Sequence, residues 1–235
     1  MHLKLRLPAG SSVEELRWQG LKAATGETVA LLDSLAVPGD GWTAAIRHAA
    51  RNGIRAGGGP VAQFGGARAS DWALYFARYY RFLPPLPAGT YHDFPAVNVF
   101  YQRELLSQHL DTLSGRFSET FFHRTLLDKG VLLYAVPEAR VTNVERCQYL
   151  KFAASRFRSG RFYGARTAQE WSLCRRATAV LRSVLLPALF WGRCGWVVFQ
   201  RRGPRTAFLK CTPLLLGSFV CWAAGEAVGI ATSRT

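Results

Sequence analysis

Asp33 stands where an apolar run stops. Val29-Ala-Leu-Leu-Asp33 passes directly into Ser-Leu-Ala-Val-Pro38-Gly-Asp40-Gly-Trp42. Open α/β sheets bind ligands beyond the carboxyl ends of their strands. An acid at such an end is either a metal or ribose ligand or a turn-former, because Asp bonds its own backbone in turns. Other reactive side chains offer less. His92, His109 and His123 have no ligand spacing and read as surface or satisfied core groups. The five cysteines are an odd number without metal-type spacing, and three lie in or beside apolar runs. They argue for a reducing compartment and against a disulfide scaffold. Gly57-Gly58-Gly59 lacks the Lys and Ser/Thr of a phosphate-binding loop and reads as a turn. Glu226 lies inside an apolar run, where a carboxylate is costly and marks either a functional site or a membrane edge.

The elements that must hold these groups alternate in type. Leu3–Leu7 has strand periodicity. Ser12 and Glu15 have capping-box spacing for a helix that runs to about Ala24 and stops at Thr25-Gly26. Val29–Leu32 is a second strand, Thr43–Arg51 a helix ending at Asn52-Gly53, and Gly57–Val61 a further strand or turn. This order favours a parallel sheet. Asp71–Phe82 reads as an aromatic-rich amphipathic helix stopped by Pro84-Pro85. Phe94–Asn98 reads as a loop entering a helix over Gln102–Gln108. A helix follows Phe117-Ser118-Glu119 to Lys129, and Val131–Ala135 and Ala139–Val144 are strands.

Apolar residues make up 49% of the 235, ample for a core, so global disorder is excluded. Net charge is +15, and it is concentrated: Lys151 through Lys210 holds 13 basic side chains against the single acid Glu170. Such a segment suits nucleic acid or an anionic membrane surface. Two apolar runs, Val184–Phe199 and Cys211–Ala231, lie beside it, and Trp171, Trp191, Trp196 and Trp222 stand where interfacial anchors belong. A membrane surface is therefore favoured, and no nucleic acid partner is expected. The second run has 21 residues and is long enough to span. The first is interrupted by Pro187 and Arg193 and is expected in the interface. Spanning by both would put Arg201, Arg202 and Arg205 on the non-cytoplasmic side, against the positive-inside tendency.

Four stretches, in order, resemble the glycosyltransferases of family 2, which have a GT-A fold. Glu15-Leu-Arg17-Trp-Gln-Gly20-Leu-Lys-Ala-Ala-Thr-Gly26 looks like the family's A-R-N-x-G helix behind the donor site. Val29–Asp33 with Pro38 and Gly41-Trp42 looks like the strand carrying the acidic metal motif. Phe94-Pro-Ala-Val-Asn98-Val-Phe-Tyr101-Gln-Arg103 looks like the acceptor-side loop G-N-N-x-x-Y-R-R. Phe117-Ser-Glu119 with Arg124 and Gly130 looks like the element whose acid is the catalytic base. The resemblance covers roughly residues 10 to 230, including the basic Arg156–Arg161 stretch and the apolar C-terminal region of membrane-associated members.

The resemblance implies a GT-A-like (Rossmann-like) mostly parallel α/β sheet, N-terminally incomplete, followed by a C-terminal apolar helical hairpin. It divides the chain into a partial glycosyltransferase domain over 1–168 and a membrane-associated helical region over 169–235. It implies inverting transfer of a sugar from a nucleotide-sugar donor to a lipid-linked or glycan acceptor, at the cytoplasmic face of the membrane. Asp33 would hold a divalent cation, Mn²⁺ or Mg²⁺, on the donor diphosphate. Glu119 would deprotonate the acceptor hydroxyl. Arg17, Arg156 and Arg161 would serve the donor, with the last two offsetting its diphosphate charge. Trp42, Asn98, Tyr101 and Arg103 would contact substrate.

Departures are equally specific. Leu35 replaces the second acid of the metal motif, and Asp40 lies past the turn. Trp18, Thr120, Asn143 and Ser155 stand where the family commonly has Asn, an acid, His and Gln. The chain begins after the family's nucleotide-base-binding unit. The alternatives are a truncated product, a partner polypeptide that completes the donor site, or a catalytically inactive membrane-bound remnant acting as scaffold.

Overall fold

The computed structural model of the chain describes residues 11–109, 115–169 and 171–233. The strand expected over Leu3–Leu7, and Glu170, lie outside them. Contacts divide the chain into two units. A sheet unit takes the residues up to Ala62 and Pro84–Thr142; a helical unit takes Gln63–Leu83 and Asn143–Thr235. The resemblance-based division at residue 168 puts 63–83 and 143–168 with the sheet instead.

The sheet unit opens with α1 (Val13–Ala23), whose capping box forms as its spacing requires. Ser12 N–H donates to Glu15 Oε2 at 2.8 Å, and Glu15 N–H donates to Ser12 Oγ at 3.2 Å. β1 (Thr28–Leu32), β2 (Ala36–Pro38), α2 (Trp42–Arg51), β3 (Ala56–Gly58) and β4 (Val61–Gln63) follow. After an excursion into the helical unit come β5 (Gly89–Tyr91), β6 (Asn98–Gln102), α4 (Arg103–Ser107), α5 (Glu119–Asp128), β7 (Leu133–Ala135) and β8 (Val141–Asn143).

The main sheet has the order β1-β6-β3-β7-β5. Only β3 and β7 are parallel; β6 runs antiparallel to both β1 and β3, and β5 antiparallel to β7. The expected mostly parallel sheet is therefore corrected to a mixed one. The cause is β6. The sequence puts a loop over Phe94–Asn98 and a helix from Gln102, with no strand between, because four of the five residues of Asn98–Gln102 are buried and leave no alternation. β6 nevertheless lies between β1 and β3.

Directly opposed residues of an antiparallel pair share a face. Ala30 pairs Phe100 on one face, and Val29 pairs Tyr101 on the other. On the first face, Ile46 and Ala49 of α2 pack with Phe100, and Trp42 and Ala30 flank them. On the second, the Phe122 and His123 rings of α5 lie 5.2 and 5.8 Å from the Tyr101 ring. Helices thus cover both faces. Gly57-Gly58-Gly59 is a close-packing device: a Cβ on Gly58 would come within 2.5 Å of Asn98 O and the Phe94 ring. A Cβ on Gly59 would collide with Ala139 O. A smaller sheet has the order β2-β8-β4, and the chain changes unit within β4 and β8.

The helical unit comprises α3 (Ala69–Tyr79), a 3-10 turn (Tyr80–Phe82), α6 (Tyr149–Thr167), α7 (Leu173–Ser183), α8 (Leu186–Gln200) and α9 (Arg205–Thr232). Buried Asp71 fixes the start of α3 against the chain returning at Cys147. Its carboxylate accepts from Cys147 N at 2.7 Å, Arg68 N at 2.9 Å and Arg146 Nη1 at 3.1 Å.

α6 and α9 meet through two G-x-x-x-G stretches, Gly160/Gly164 and Gly225/Gly229. Gly160 lies against Trp222 O, Gly164 against Glu226 O, Gly225 against Phe157 O and Gly229 against Arg161 O. The numbers rise together, so the two helices run in the same direction. No side chain separates the backbones, the arrangement such small-residue spacing permits.

α9 is the one described helix long and apolar enough to cross a bilayer. α8, with 15 residues, spans roughly 22 Å at 1.5 Å per residue, short of the hydrocarbon thickness.

Candidate functional site

The loop after β1 begins at Asp33, and Asn98 opens β6 opposite Leu32. Both therefore stand at one end of the β1–β6 pair. Trp42, at the start of α2, completes the group: its Nε1–H donates to Asn98 Oδ1 at 2.9 Å. Asn98 Nδ2 donates in turn to Ala139 O at 2.7 Å and Pro60 O at 3.2 Å. Three stretches distant in the chain are thus joined through one buried amide. Asn98 is 1% exposed and holds the loops rather than facing solvent.

Asp33 is half-buried. Its Oδ1 accepts from Leu35 N at 3.2 Å and from Ser34 Oγ at 3.4 Å, and its carbonyl accepts from Ala36 N at 3.0 Å. The acid shapes the turn that leads into β2. Leu35, which replaces the second motif acid, contributes a backbone N–H to Asp33 instead of a ligand. No three His, Cys, Asp or Glu side chains gather in metal-binding fashion among the described residues. Magnesium is commonly held by one or two carboxylates plus substrate phosphates. A single Asp33 fits a cation that arrives on a diphosphate, not a resident ion.

Glu119, the first residue of α5, meets α1. Arg17 Nη1 donates to Glu119 Oε2 at 3.0 Å, with both side chains about a quarter exposed. An ion pair of this exposure stabilises by ~1 kcal/mol or less. The pair lies on the side of the sheet that carries Tyr101, whose surroundings feel both charges. Tyr101 itself is fully buried. Its Oη lies 2.6 Å from His123 Nε2, while Phe94 N–H donates to His123 Nδ1 at 3.4 Å. With Nδ1 accepting, the neutral ring carries its proton on Nε2 and donates to the phenol. Burial pushes His123 down to about 3, and burial with the Glu119 charge pushes the Tyr101 phenol up.

Arg103 is elsewhere. It lines a cavity of about 460 Å³ with Arg47, Arg51, Glu27 and Glu104. Thr28 and Gln102 also line it, and these two form the first register pair of β1 and β6, whereas Leu32 and Asn98 form the last. Arg103 and Asp33 thus stand at opposite ends of the strands. Arg156 and Arg161 belong to α6 of the helical unit. Arg156 stacks on Trp222 at 4.3 Å, and the Arg161 backbone packs on Gly225 and Gly229.

Sequence reasoning missed the Arg47/Arg51 pair beside Arg103 and the glycine seam. The seam had a signal, two G-x-x-x-G spacings with one in the apolar run. His123, which reads as a surface or satisfied core group, is the second: it is buried, with both ring nitrogens hydrogen-bonded. No model of a known protein family matches the chain, and no curated protein matches it.

Proposed function

We propose that the chain is a membrane-associated glycosyltransferase of GT-A type, acting on a nucleotide-sugar donor and a lipid-linked or glycan acceptor at the cytoplasmic face. The observation that supports this reading is the convergence of Asp33, Trp42 and Asn98 at one strand end. That is where open α/β sheets place ligands, and the three residues come from two of the stretches that carry the family resemblance. In this reading Asp33 bears on a divalent cation brought by the donor diphosphate, which neutralises the leaving group. Glu119 accepts the acceptor's hydroxyl proton as that oxygen attacks the anomeric carbon and the bond to the diphosphate breaks. Arg17 must release Glu119, or shift with it, for that transfer.

The Arg17–Glu119 pair at 3.0 Å also favours a second reading, a scaffold that retains the fold without turnover. Titration calorimetry of the solubilised chain with UDP and GDP, with and without Mn²⁺, tests the first. Metal-dependent binding that disappears in Asp33→Ala supports a donor site, and loss of sugar transfer in Glu119→Gln with binding intact supports its role as base. No nucleotide binding leaves the scaffold.

Membrane association rests on the helical unit. Leu173, Leu181, Val184, Leu185 and Trp196 are exposed on α7, on α8 and in the turn between them, among Arg175, Arg182 and Arg193. An apolar face with arginine borders suits the headgroup boundary. The exposed Arg158, Arg161 and Arg166 of α6 run beside Trp222–Gly229 of α9. At mid-bilayer each charge would cost ~2.5–3.5 kcal/mol. This supports a seat in the interface over a crossing of the hydrocarbon by α9. Flotation of the chain with liposomes, resisted by alkaline carbonate only if α9 crosses, separates the two.

A further inference from the structure

One cavity of the helical unit has a composition the transfer reaction does not use. It encloses about 300 Å³ and is lined by Arg156, Tyr163, Phe190, Phe219, Trp222 and Glu226, among others. We propose that it binds the headgroup of a zwitterionic, amine-bearing phospholipid, with the phosphate on Arg156 and the ammonium on Glu226. The proposal rests on the membrane seating described above.

Arg156 supplies the first argument. Its guanidinium stacks on the Trp222 ring at 4.3 Å, yet its Nε is buried and has no hydrogen-bond partner. Buried polar groups are nearly always paired, so an exception calls for an explanation, and a bound group is one. A planar guanidinium presents a fork that matches phosphate oxygens. Burial, with the Arg78 charge behind it, lowers this group only to about 10, so it stays a cation at neutral pH. Arg78 is itself paired, with Glu145 at 2.6 Å.

Glu226 decides the class of lipid. Trp222 Nε1–H donates to its Oε2 at 3.0 Å, which fixes the carboxyl in the wall. A purely anionic headgroup would meet repulsion there. A phosphate with an ammonium two carbons away satisfies both charges. The Trp222 and Tyr163 rings, 5.9 Å apart, offer π faces to a cation. Phe190 and Phe219, 5.6 Å apart, present the apolar wall that the start of an acyl chain requires.

The delipidated full chain in detergent, offered equal phosphatidylethanolamine and phosphatidylglycerol, tests this by native mass spectrometry. Phosphatidylethanolamine should be retained roughly tenfold over phosphatidylglycerol, the factor one charge-assisted contact supplies. Glu226→Gln should bring the ratio to parity or below, and Arg156→Gln should lose both lipids. Leu186→Trp, which fills the cavity and spares both charges, should also abolish retention and guards against misfolding in the charge variants. Equal retention of the two lipids by the wild-type chain, or a preference unchanged in Glu226→Gln, overturns the proposal. Competition by soluble phosphoethanolamine as strong as by the lipid overturns the lipid identity. Flotation with liposomes of either lipid reports the membrane seating separately, so its failure is distinguishable.

Discussion

Gly225→Ala should weaken the helical unit although alanine is the better helix former. The new Cβ would collide with Phe157 O and stand 2.8 Å from Phe157 C and 3.0 Å from Arg161 N. These are backbone atoms of α6, so no rotamer change relieves them. Carbon contacts are optimal at about 3.5–4.0 Å, so the helices must separate by roughly 1 Å. A gap of that size forfeits about a quarter to a half of each contact it opens. Overpacking of this kind costs up to about 3 kcal/mol, and alanine returns about 1 kcal/mol in helix propensity. The net loss is about 2 kcal/mol. Gly192→Ala in α8 is the control, because nothing lies within 4 Å of its Cβ position. There only the propensity gain remains, about 1 kcal/mol. At roughly 2–4 °C per kcal/mol for a chain of this size, Gly225→Ala should melt about 4–8 °C lower and Gly192→Ala about 2–4 °C higher. Thermal unfolding by circular dichroism in lipid or detergent reads both. A Gly225→Ala chain that melts at or above the wild type refutes the seam.

Asn98→Ala should cost roughly 2–4 kcal/mol, because it strands the carbonyls of Pro60 and Ala139 and the indole N–H of Trp42. Unchanged stability in chemical denaturation would return Asn98 to substrate contact. Burial raises the Asp71 carboxyl, but the Arg68 guanidinium, the Cys147 and Arg68 amides and Arg146 outweigh it and hold it at about 2. Its unfolded value is near 3.8, so its contribution of roughly 2 kcal/mol is present above pH 4 and is lost as pH falls towards 2. Acid unfolding should therefore begin at higher pH in Arg146→Ala, and an unchanged acid midpoint would contradict the assignment. Cys174 is exposed whereas Cys147, Cys194 and Cys211 are buried, so brief maleimide labelling of the folded chain should modify Cys174 first by peptide mapping. Rapid labelling of Cys147, whose thiol burial pushes up to about 11, would show that the start of α6 is open.

Local rules carried much of the sequence reading. The capping box at Ser12 and Glu15, the helix over Trp42–Arg51 and the strand ending at Leu32 all follow from spacing and turn chemistry. Long-range placement escaped it. β6 is hidden because a central strand buried on both faces has no periodicity. α6 is a continuous helix across Arg156–Arg166, an Arg-, Gly- and aromatic-rich stretch to which the sequence reading assigns no element. Its glycines are tolerated because α9 lies on them; the Gly160/Gly164 spacing hints at such a contact but not at which helix makes it. At the candidate site, Asp33 offered two roles, and the turn bonds to Ser34 and Leu35 account for one of them. The placement of Arg103 at the far end of β6 depends on strand direction, which the motif spacing does not encode.

The interleaving of the two units has a consequence for synthesis. α3 leaves the ribosome early, yet the Phe76 ring packs at 5.5 Å against Phe208, a residue made 132 positions later. At roughly 5–20 residues per second, that is about 7–26 s during which Phe76 has no α9 to cover it. The sheet unit's later strands are completed in that interval. A nascent chain of this design carries an incompletely covered aromatic helix through much of its translation, the kind of transient apolar surface that is prone to aggregate.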